Sequence, residues 1–104
     1  MAFSKVNRYK QECRDIHYYL RAILHPARQE IIKKLRRSGE CKVKDLSKNH
    51  PISKPTISDH LKLLRKAGII DPREEYPYTY YTLNAKKLKE IKKIVTKFFD
   101  DLEL

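Results

Sequence analysis

The sequence contains little glycine and no long hydrophobic run. Only two of the 104 residues are glycine, which is too few for the glycine-rich loops that hold phosphate groups in nucleotide-binding enzymes. No apolar stretch approaches the roughly 18 to 20 residues of a membrane-spanning helix. The N-terminal segment MAFSKVNRYKQECRD also lacks the apolar centre of a signal peptide. We therefore expect a soluble, cytoplasmic protein with no membrane partner.

Cysteine is also scarce, and its two positions predict neither a disulfide framework nor a metal site. Cys13 and Cys41 are far apart and have no paired spacing, so we predict reduced and largely packed thiols. Cys13 and His17 are four positions apart and could share a helix face, but two ligands do not complete the four of a structural zinc site. No nucleophile, base and orienting residue follow in a recognisable order. We predict no enzyme activity, no cofactor and no metal.

Basic residues are abundant. The chain has 24 Lys and Arg against 13 Asp and Glu, a formal net charge of +11. Such an excess attracts polyanions such as nucleic acid or an anionic membrane face. A chain of this length makes one domain, residues 1–104, so we look for one site.

Hydrophobic periodicity predicts five helices and one strand pair. The first helix ends near His25, because the following Pro26 disfavours helix in the residue before it and is well placed to open the second helix. A short third helix covers CKVKDLSKN. The fourth begins with Ser53 as N-cap and ends at Gly68. After it we predict a short strand at II, a turn at DPREEYP, a second strand at YTYYTL and a last helix capped by Asn84.

The first and last helices each carry a narrow apolar seam at spacings of three and four residues, which is typical of a helix that meets another helix. Two such seams favour a dimer interface built from both end helices, although packing on each other within one chain is an alternative. The predicted interface residues are Val6, Tyr9, Cys13, Ile16, Leu20, Leu88, Ile91, Val95, Phe98 and Leu102.

The third and fourth helices, joined by a short turn, have the organisation of a helix-turn-helix at about residues 43–67. In the fourth helix Ile57, Leu61 and Leu64 form the inward stripe, which leaves a polar face outward. Any amphipathic surface helix shows such a face. In a helix-turn-helix, however, it is the surface that reads bases in the DNA major groove.

Across residues 24–83 the chain resembles the ArsR/SmtB family of winged helix-turn-helix transcriptional regulators. LHPARQEIIKKL resembles the family's opening phrase, and ECKVKDLSKNHPISKPTISDHLKLLRKAGII resembles its S-x-x-T-x-S-x-H-L-x-x-L-x-x-A-G helix-turn-helix. YTYYTL resembles its second wing strand. The resemblance implies a mainly α winged helix-turn-helix fold with a hairpin wing at about residues 69–83, and homodimers held by the first and last helices.

The sequence departs from the metal-sensing members of that family. Their third helix opens with a phrase like E-L-C-V-C-D-L, whose two cysteines bind metal. Here the phrase reads ECKVKDL, so Lys42 and Lys44 occupy those positions, and a protonated lysine has no lone pair to donate. Cys41 falls on an apolar position and is interpreted as packed core. The last helix contains no histidine, so we predict that the family's other common metal site is absent as well.

We predict a DNA-binding surface that combines the outer face of the fourth helix with flanking basic residues. Asp59 either accepts a hydrogen bond from a cytosine or is paired with Lys62 or Lys66. The wing tip REEYP offers only Arg73, so wing contacts should be few. The predicted DNA-binding residues are Lys42, Lys44, Lys48, Lys54, Thr56, Ser58, Asp59, Lys62 and Arg73.

Together these features predict a dimeric, metal-independent repressor that recognises a palindromic operator in double-stranded DNA. Two alternatives stay open at this point. One is a winged-helix module that binds another protein. The other is a thiol-responsive regulator that uses Cys13 or Cys41.

Overall fold

The computed structural model describes residues 8–48 and 54–104. Within these ranges the chain forms five helices and a three-stranded antiparallel sheet. The helices are α1 (Gln11–Ile23), α2 (Pro26–Ser38), α3 (Val43–Ser47), α4 (Lys54–Lys66) and α5 (Ala85–Asp101). The strands are β1 (Cys41–Lys42), β2 (Ile70–Glu75) and β3 (Tyr78–Leu83), in the spatial order β1-β3-β2.

The start of the first helix differs from the prediction. Tyr9 precedes α1 and is 64% exposed, because Lys10 has an extended backbone and α1 begins only at Gln11. Val6 lies outside the described residues. Among the described residues, the predicted seam therefore begins on α1 at Cys13 rather than at Tyr9.

The second helix begins as predicted at Pro26, but the residue before it has a role that the sequence did not reveal. The Nδ1 atom of His25 accepts a hydrogen bond from the backbone N–H of Ala27 at 3.0 Å, so the imidazole is the N-cap of α2. At the other end Gly39 adopts a φ of 75°, a left-handed conformation that suits glycine. The predicted start of α2 is confirmed.

The prediction that the third helix starts at Cys41 is wrong. Cys41 and Lys42 form β1, and they pair with Tyr81 and Tyr80 of β3. A carboxylate oxygen of Asp45 accepts a hydrogen bond from the backbone N–H of Lys42 at 3.2 Å. Helix α3 therefore begins at Val43, directly after the strand. The sheet has three strands rather than the predicted two.

The wing hairpin is longer than predicted. Strand β2 continues through most of DPREEYP, and the turn is reduced to Tyr76 and Pro77. The register runs from Ile70 opposite Leu83 to Glu75 opposite Tyr78. Pro72 fits within β2 because β2 is an edge strand, where a residue without a backbone N–H is tolerated. The predicted second strand YTYYTL is confirmed as β3.

The core lies beneath α4. Ile57 and Leu64 are 0% exposed and Leu61 is 1% exposed, which confirms the predicted inward stripe. Gly68 ends this segment with a φ of 78°, and a Cβ at that position would lie 3.2 Å from the Lys87 side chain. The buried stripe fixes the rotation of α4, so its polar residues must face away from the core.

The two end helices pack against each other within one chain. Ile91 of α5 is buried, and Leu88 and Val95 pack on the same core. Farther along, Phe98 is 45% exposed and Leu102, directly after α5, is 52% exposed. Packing within one chain therefore buries the first half of the predicted α5 seam. The second half of the seam stays exposed to solvent. Within residues 8–48 and 54–104, no helix combines the length and apolar character needed to cross a membrane.

Candidate nucleic-acid interface

The outer half of α4 carries the polar side chains that were predicted to read DNA. Thr56, Asp59 and Lys62 are exposed, and Ser58 is half-buried. Lys54 is the first residue of the helix, and Ser53, the predicted N-cap, lies outside the described residues. The structure thus brings the predicted group to the beginning and middle of one exposed helix, the part that a helix-turn-helix inserts into the major groove.

Asp59 has no ion pair or hydrogen bond with any side chain in the described part of the chain. The predicted alternative, a surface pair with Lys62 or Lys66, is therefore not formed there. A carboxylate without a cation partner keeps its capacity to accept a hydrogen bond from a ligand. It also places a negative charge on a surface that is otherwise basic.

Three lysines flank the helix-turn-helix on the side of α3. Lys44 and Lys48 are exposed, at the start and just past the end of α3. Lys42 is half-buried, and its Nζ lies 4.2 Å from the centre of the Tyr78 ring, a cation–π contact with the wing. Lys44 and Lys48 are thus the more accessible of the predicted phosphate ligands.

Arg73 of the wing is held by two carboxylates. Its Nε and Nη2 donate to the carboxylate of Glu40 at 2.9 and 2.5 Å, and its Nη1 donates to Glu75 at 2.6 Å. The guanidinium also lies 4.7 Å from the centre of the Tyr80 ring. These pairs raise the pKa of Arg73, and the hydrogen bond from Arg73 lowers the pKa of Glu40. A DNA phosphate would have to displace Glu40 or Glu75 to bind this side chain.

Glu40 is a residue that the sequence analysis missed. It is 33 positions from Arg73 in the chain, and the two meet only because β1 joins the hairpin. No local spacing in the sequence signals this pair, since the partners come from different elements.

His60, within α4, packs against the cap of α2. The rings of His25 and His60 have centroids 4.5 Å apart, and His60 is only 9% exposed. The resemblance implied a structural or backbone-contact role for His60, and this packing agrees with the structural one. The two rings join the start of α2 to α4.

The two thiols lie in different environments. Cys41 is 3% exposed, and burial raises the pKa of its thiol, so it stays protonated and unreactive at neutral pH. The prediction of packed thiols is confirmed for Cys41 and wrong for Cys13, which is exposed on α1. Of the two, only Cys13 has the exposure that a thiol-responsive regulator needs. In the described part of the chain, no three His, Cys, Asp or Glu side chains gather closely enough to hold a metal ion.

Comparison with known proteins places this site in a family. The sequence profile of the bacterial regulatory proteins of the arsR family matches residues 25–71. The transcriptional repressor SdpR of Bacillus subtilis is 34% identical over 70 residues, which cover 67% of this chain and 77% of that protein. The chain belongs to the arsR family. A second relative, the uncharacterised helix-turn-helix-type regulator MJ1325 of Methanocaldococcus jannaschii, is 40% identical over 73 residues, 67% of this chain and 79% of that protein.

A solved structure supports the same fold. The crystal structure of a possible transcriptional regulator for arsenical resistance is similar, with a TM-score of 0.71 and 31% identity over 77% of this chain and 82% of that chain. The predicted fold class, a mainly α winged helix-turn-helix with a hairpin wing, is confirmed. As a member of the arsR family, the protein is a DNA-binding transcriptional regulator and not an enzyme.

Proposed function

We propose that the protein is a homodimeric repressor that binds a palindromic operator in double-stranded DNA without the help of a metal. The observation that carries this proposal is the exposed polar face of α4 over its fully buried stripe at Ile57, Leu61 and Leu64. That packing holds the helix rigidly and turns Ser58, Asp59 and Lys62 outward. Transcription is repressed because the dimer occupies the promoter.

Different residues of this surface contact the DNA bases and the DNA phosphates. The first turns of α4 enter the major groove, where Ser58 and Asp59 meet base edges. Lys44 lies on the preceding helix of the motif, which crosses the DNA backbone, and Lys48 directly follows that helix; both neutralise phosphates. In the dimer, two copies of α4 lie in successive major grooves with centres roughly 34 to 36 Å apart.

The uncovered ends of α1 and α5 support the dimer. They enclose a largely apolar groove of about 310 Å³, lined by Cys13 and Ile16 from one helix and by Ile94 and Phe98 from the other. Leu102 continues this lining. A second copy of the chain would cover these side chains and remove them from water, which is the main favourable term in most protein association.

Metal independence rests on the two lysines at the start of α3. Lys42 is the residue before α3 and Lys44 is the second residue of the helix. The resemblance to metal-sensing members implies that these two positions carry thiolates in those proteins. A lysine that remains protonated cannot bind a metal. We therefore propose that DNA affinity is not controlled through this position.

The wing favours a second candidate function. Asp71, Glu74 and Glu75 are exposed on β2, while Arg73 is engaged, so the hairpin carries a net negative charge that repels phosphate. Tyr76 at its tip is 98% exposed. An acidic, tyrosine-tipped hairpin is suited to a basic protein partner, so the alternative is a winged-helix module that binds protein through its wing.

Selection of bound sequences from a random duplex pool by the purified protein tests the proposal. The expected result is a palindromic consensus whose half-sites are about one helical turn apart, with binding that weakens steeply as salt concentration rises. A pool that shows no enrichment over several rounds would reject sequence-specific binding and favour the protein-binding alternative. An asymmetric single half-site would reject the dimer.

A further inference from the structure

A second concave surface lies at the C-terminal end of α4, away from the DNA-reading turns. It is a cleft of about 330 Å³ between α1, the start of α2 and the end of α4. Ala22, Leu63 and Ala67 supply apolar surface, while Arg21, Arg28 and Lys66 supply cations. Lys66 is eight residues beyond Ser58, about 12 Å farther along the helix axis. A volume of this size is at the lower end of the range for small-molecule sites.

The three cations of the cleft lack carboxylate partners in the described part of the chain. None of their side chains forms a hydrogen bond or an ion pair there, in contrast to Arg73, Lys87 and Lys97, which all pair with carboxylates. No acidic side chain is among the described residues that line the cleft. The cleft therefore has a local charge of +3 that the described residues leave uncompensated.

Arg28 contributes a partly buried guanidinium to the cleft. The residue is half-buried, and its Nε atom is inaccessible to water and makes no hydrogen bond with any described group. A buried donor without an acceptor is destabilising, and more so when the group is charged. Because this Nε is out of reach from the cleft, an anion seated there would accept hydrogen bonds from the Nη groups of the same guanidinium.

We infer that the cleft is an effector site for a small apolar molecule that carries one carboxylate. The carboxylate would bind between Arg28 and Arg21, and the apolar body would pack on Leu63 and the two alanines. A planar guanidinium suits a carboxylate because it can donate two parallel hydrogen bonds. The regulatory role of this site rests on the proposed DNA-binding function, whereas ligand binding itself does not.

The position of the cleft links the reading helix to the proposed dimer helices. The hydroxyl of Tyr18 on α1 donates to the backbone carbonyl of Lys66 at 3.1 Å, so α1 is tied to the end of α4 at the cleft edge. A ligand that contacts α1 and α4 together would shift one helix relative to the other. In a dimer joined through α1 and α5, such a shift changes the separation of the two reading helices and hence the operator affinity.

Phenylacetate is a suitable probe, with 2-phenylethanol as its neutral analogue and inorganic phosphate as an anion without an apolar body. We expect saturable binding of phenylacetate to the DNA-free protein by calorimetry, and at least tenfold weaker binding of the other two. Arg28→Gln should weaken phenylacetate binding at least tenfold. The exposed Arg21→Gln gives the same test if Arg28→Gln fails to fold. Arg36→Gln, an exposed arginine of α2 outside the cleft, is the matched control and should bind as the wild type does.

Measurements of operator affinity distinguish two interpretations of the cleft, an effector site and a second DNA-binding surface. Phenylacetate should change the operator affinity of the wild type at least fivefold, within the usual range of allosteric coupling, and leave Arg28→Gln unaffected. Without ligand, Arg21→Gln and Arg28→Gln should bind the operator as Arg36→Gln does. The inference is overturned if phenylacetate binds no better than 2-phenylethanol, if it binds without changing operator affinity, or if the cleft variants lose DNA affinity and salt slope in the absence of ligand.

Discussion

Asp59 is the acidic side chain on the outer face of α4, and its replacement tests whether it reads a base or only affects phosphate binding. Asp59→Ala should narrow the free-energy gap between operator and scrambled duplex by roughly 1 to 3 kcal/mol, the worth of a lost base contact. The same change should raise affinity for scrambled DNA, because it removes a negative charge near phosphates. Titrations of both duplexes at two salt concentrations measure the two effects.

Asp100→Ala is the matched control for that experiment. Asp100 is an exposed acid on α5, so its removal changes the net charge equally but leaves α4 untouched. If Asp59→Ala keeps the operator preference and behaves like Asp100→Ala, Asp59 does not read a base.

Also at the residue scale, replacing Glu40 tests whether the wing can bind DNA. Glu40→Gln removes the carboxylate that binds Arg73 through two hydrogen bonds and leaves only Glu75 as its partner. If Arg73 then reaches a phosphate, the slope of log affinity against log salt should steepen by about 0.9. Glu74→Gln removes an equal charge from the wing hairpin without releasing Arg73, so the salt slope of this variant should stay at the wild-type value. Equal salt slopes in both variants would show that Arg73 does not approach the DNA phosphates.

The Glu40–Arg73 pair also predicts how the stability of the folded protein changes with pH. The pKa of Glu40 is lowered in the folded protein, so its contribution to stability is fully present above the pKa that glutamate has in the unfolded chain. This contribution is lost as pH falls through the lowered pKa of the folded state. Between neutral pH and that range, the Glu40–Arg73 pair should therefore stay formed.

At the scale of elements, the C-terminal half of α5 tests the dimer. Phe98 is 45% exposed in the single chain, so Phe98→Asp should leave the fold intact while placing a charge in the proposed interface. We expect sedimentation at micromolar concentration to show a wild-type dimer and a Phe98→Asp monomer, with unchanged circular dichroism. Val95→Asp is less informative, because Val95 packs on the core and its replacement would also unfold the chain.

Thr96→Asp is the control for the dimer experiment. Thr96 is exposed and lies two residues from Phe98, so it points to nearly the opposite side of the helix. The Thr96→Asp variant should therefore remain a dimer. A wild-type monomer at these concentrations, or equal dissociation by both variants, would contradict an interface on the Phe98 face.

At the scale of the whole molecule, the proposed metal independence of DNA binding can be tested directly. With Lys42 and Lys44 in place of thiolates, addition of zinc, cadmium or arsenite should change the free energy of operator binding by less than about 1 kcal/mol. Fluorescence anisotropy with labelled operator, with and without each ion, measures this. The double variant Lys42→Cys and Lys44→Cys, which introduces a thiol at both positions, is the positive control. An effect larger than about 1 kcal/mol in the wild type would reveal a metal site elsewhere.

Much of the fold could be predicted from local signals. The i, i+3 and i, i+4 spacing set the buried face of α4, and Gly39, Gly68 and Asn84 marked helix ends because each suits the backbone or hydrogen bond needed there. The outer face of α4, and with it most of the predicted DNA-binding residues, followed from the same spacing. These features depend on residues within one or two turns of each other, which is why the sequence alone determined them.

Other features were decided only by the tertiary structure. Cys41 and Lys42 form a strand because β3 offers them hydrogen-bonding partners, although their own neighbours suggested a helix. Arg73 was predicted to contact DNA, and its pairing with Glu40 arises because that strand brings two distant residues together. The cleft beside Arg28 likewise draws side chains from three helices. Contacts between residues far apart in the chain leave no periodic pattern in the sequence, so they appear only when packing has fixed how the elements lie against one another.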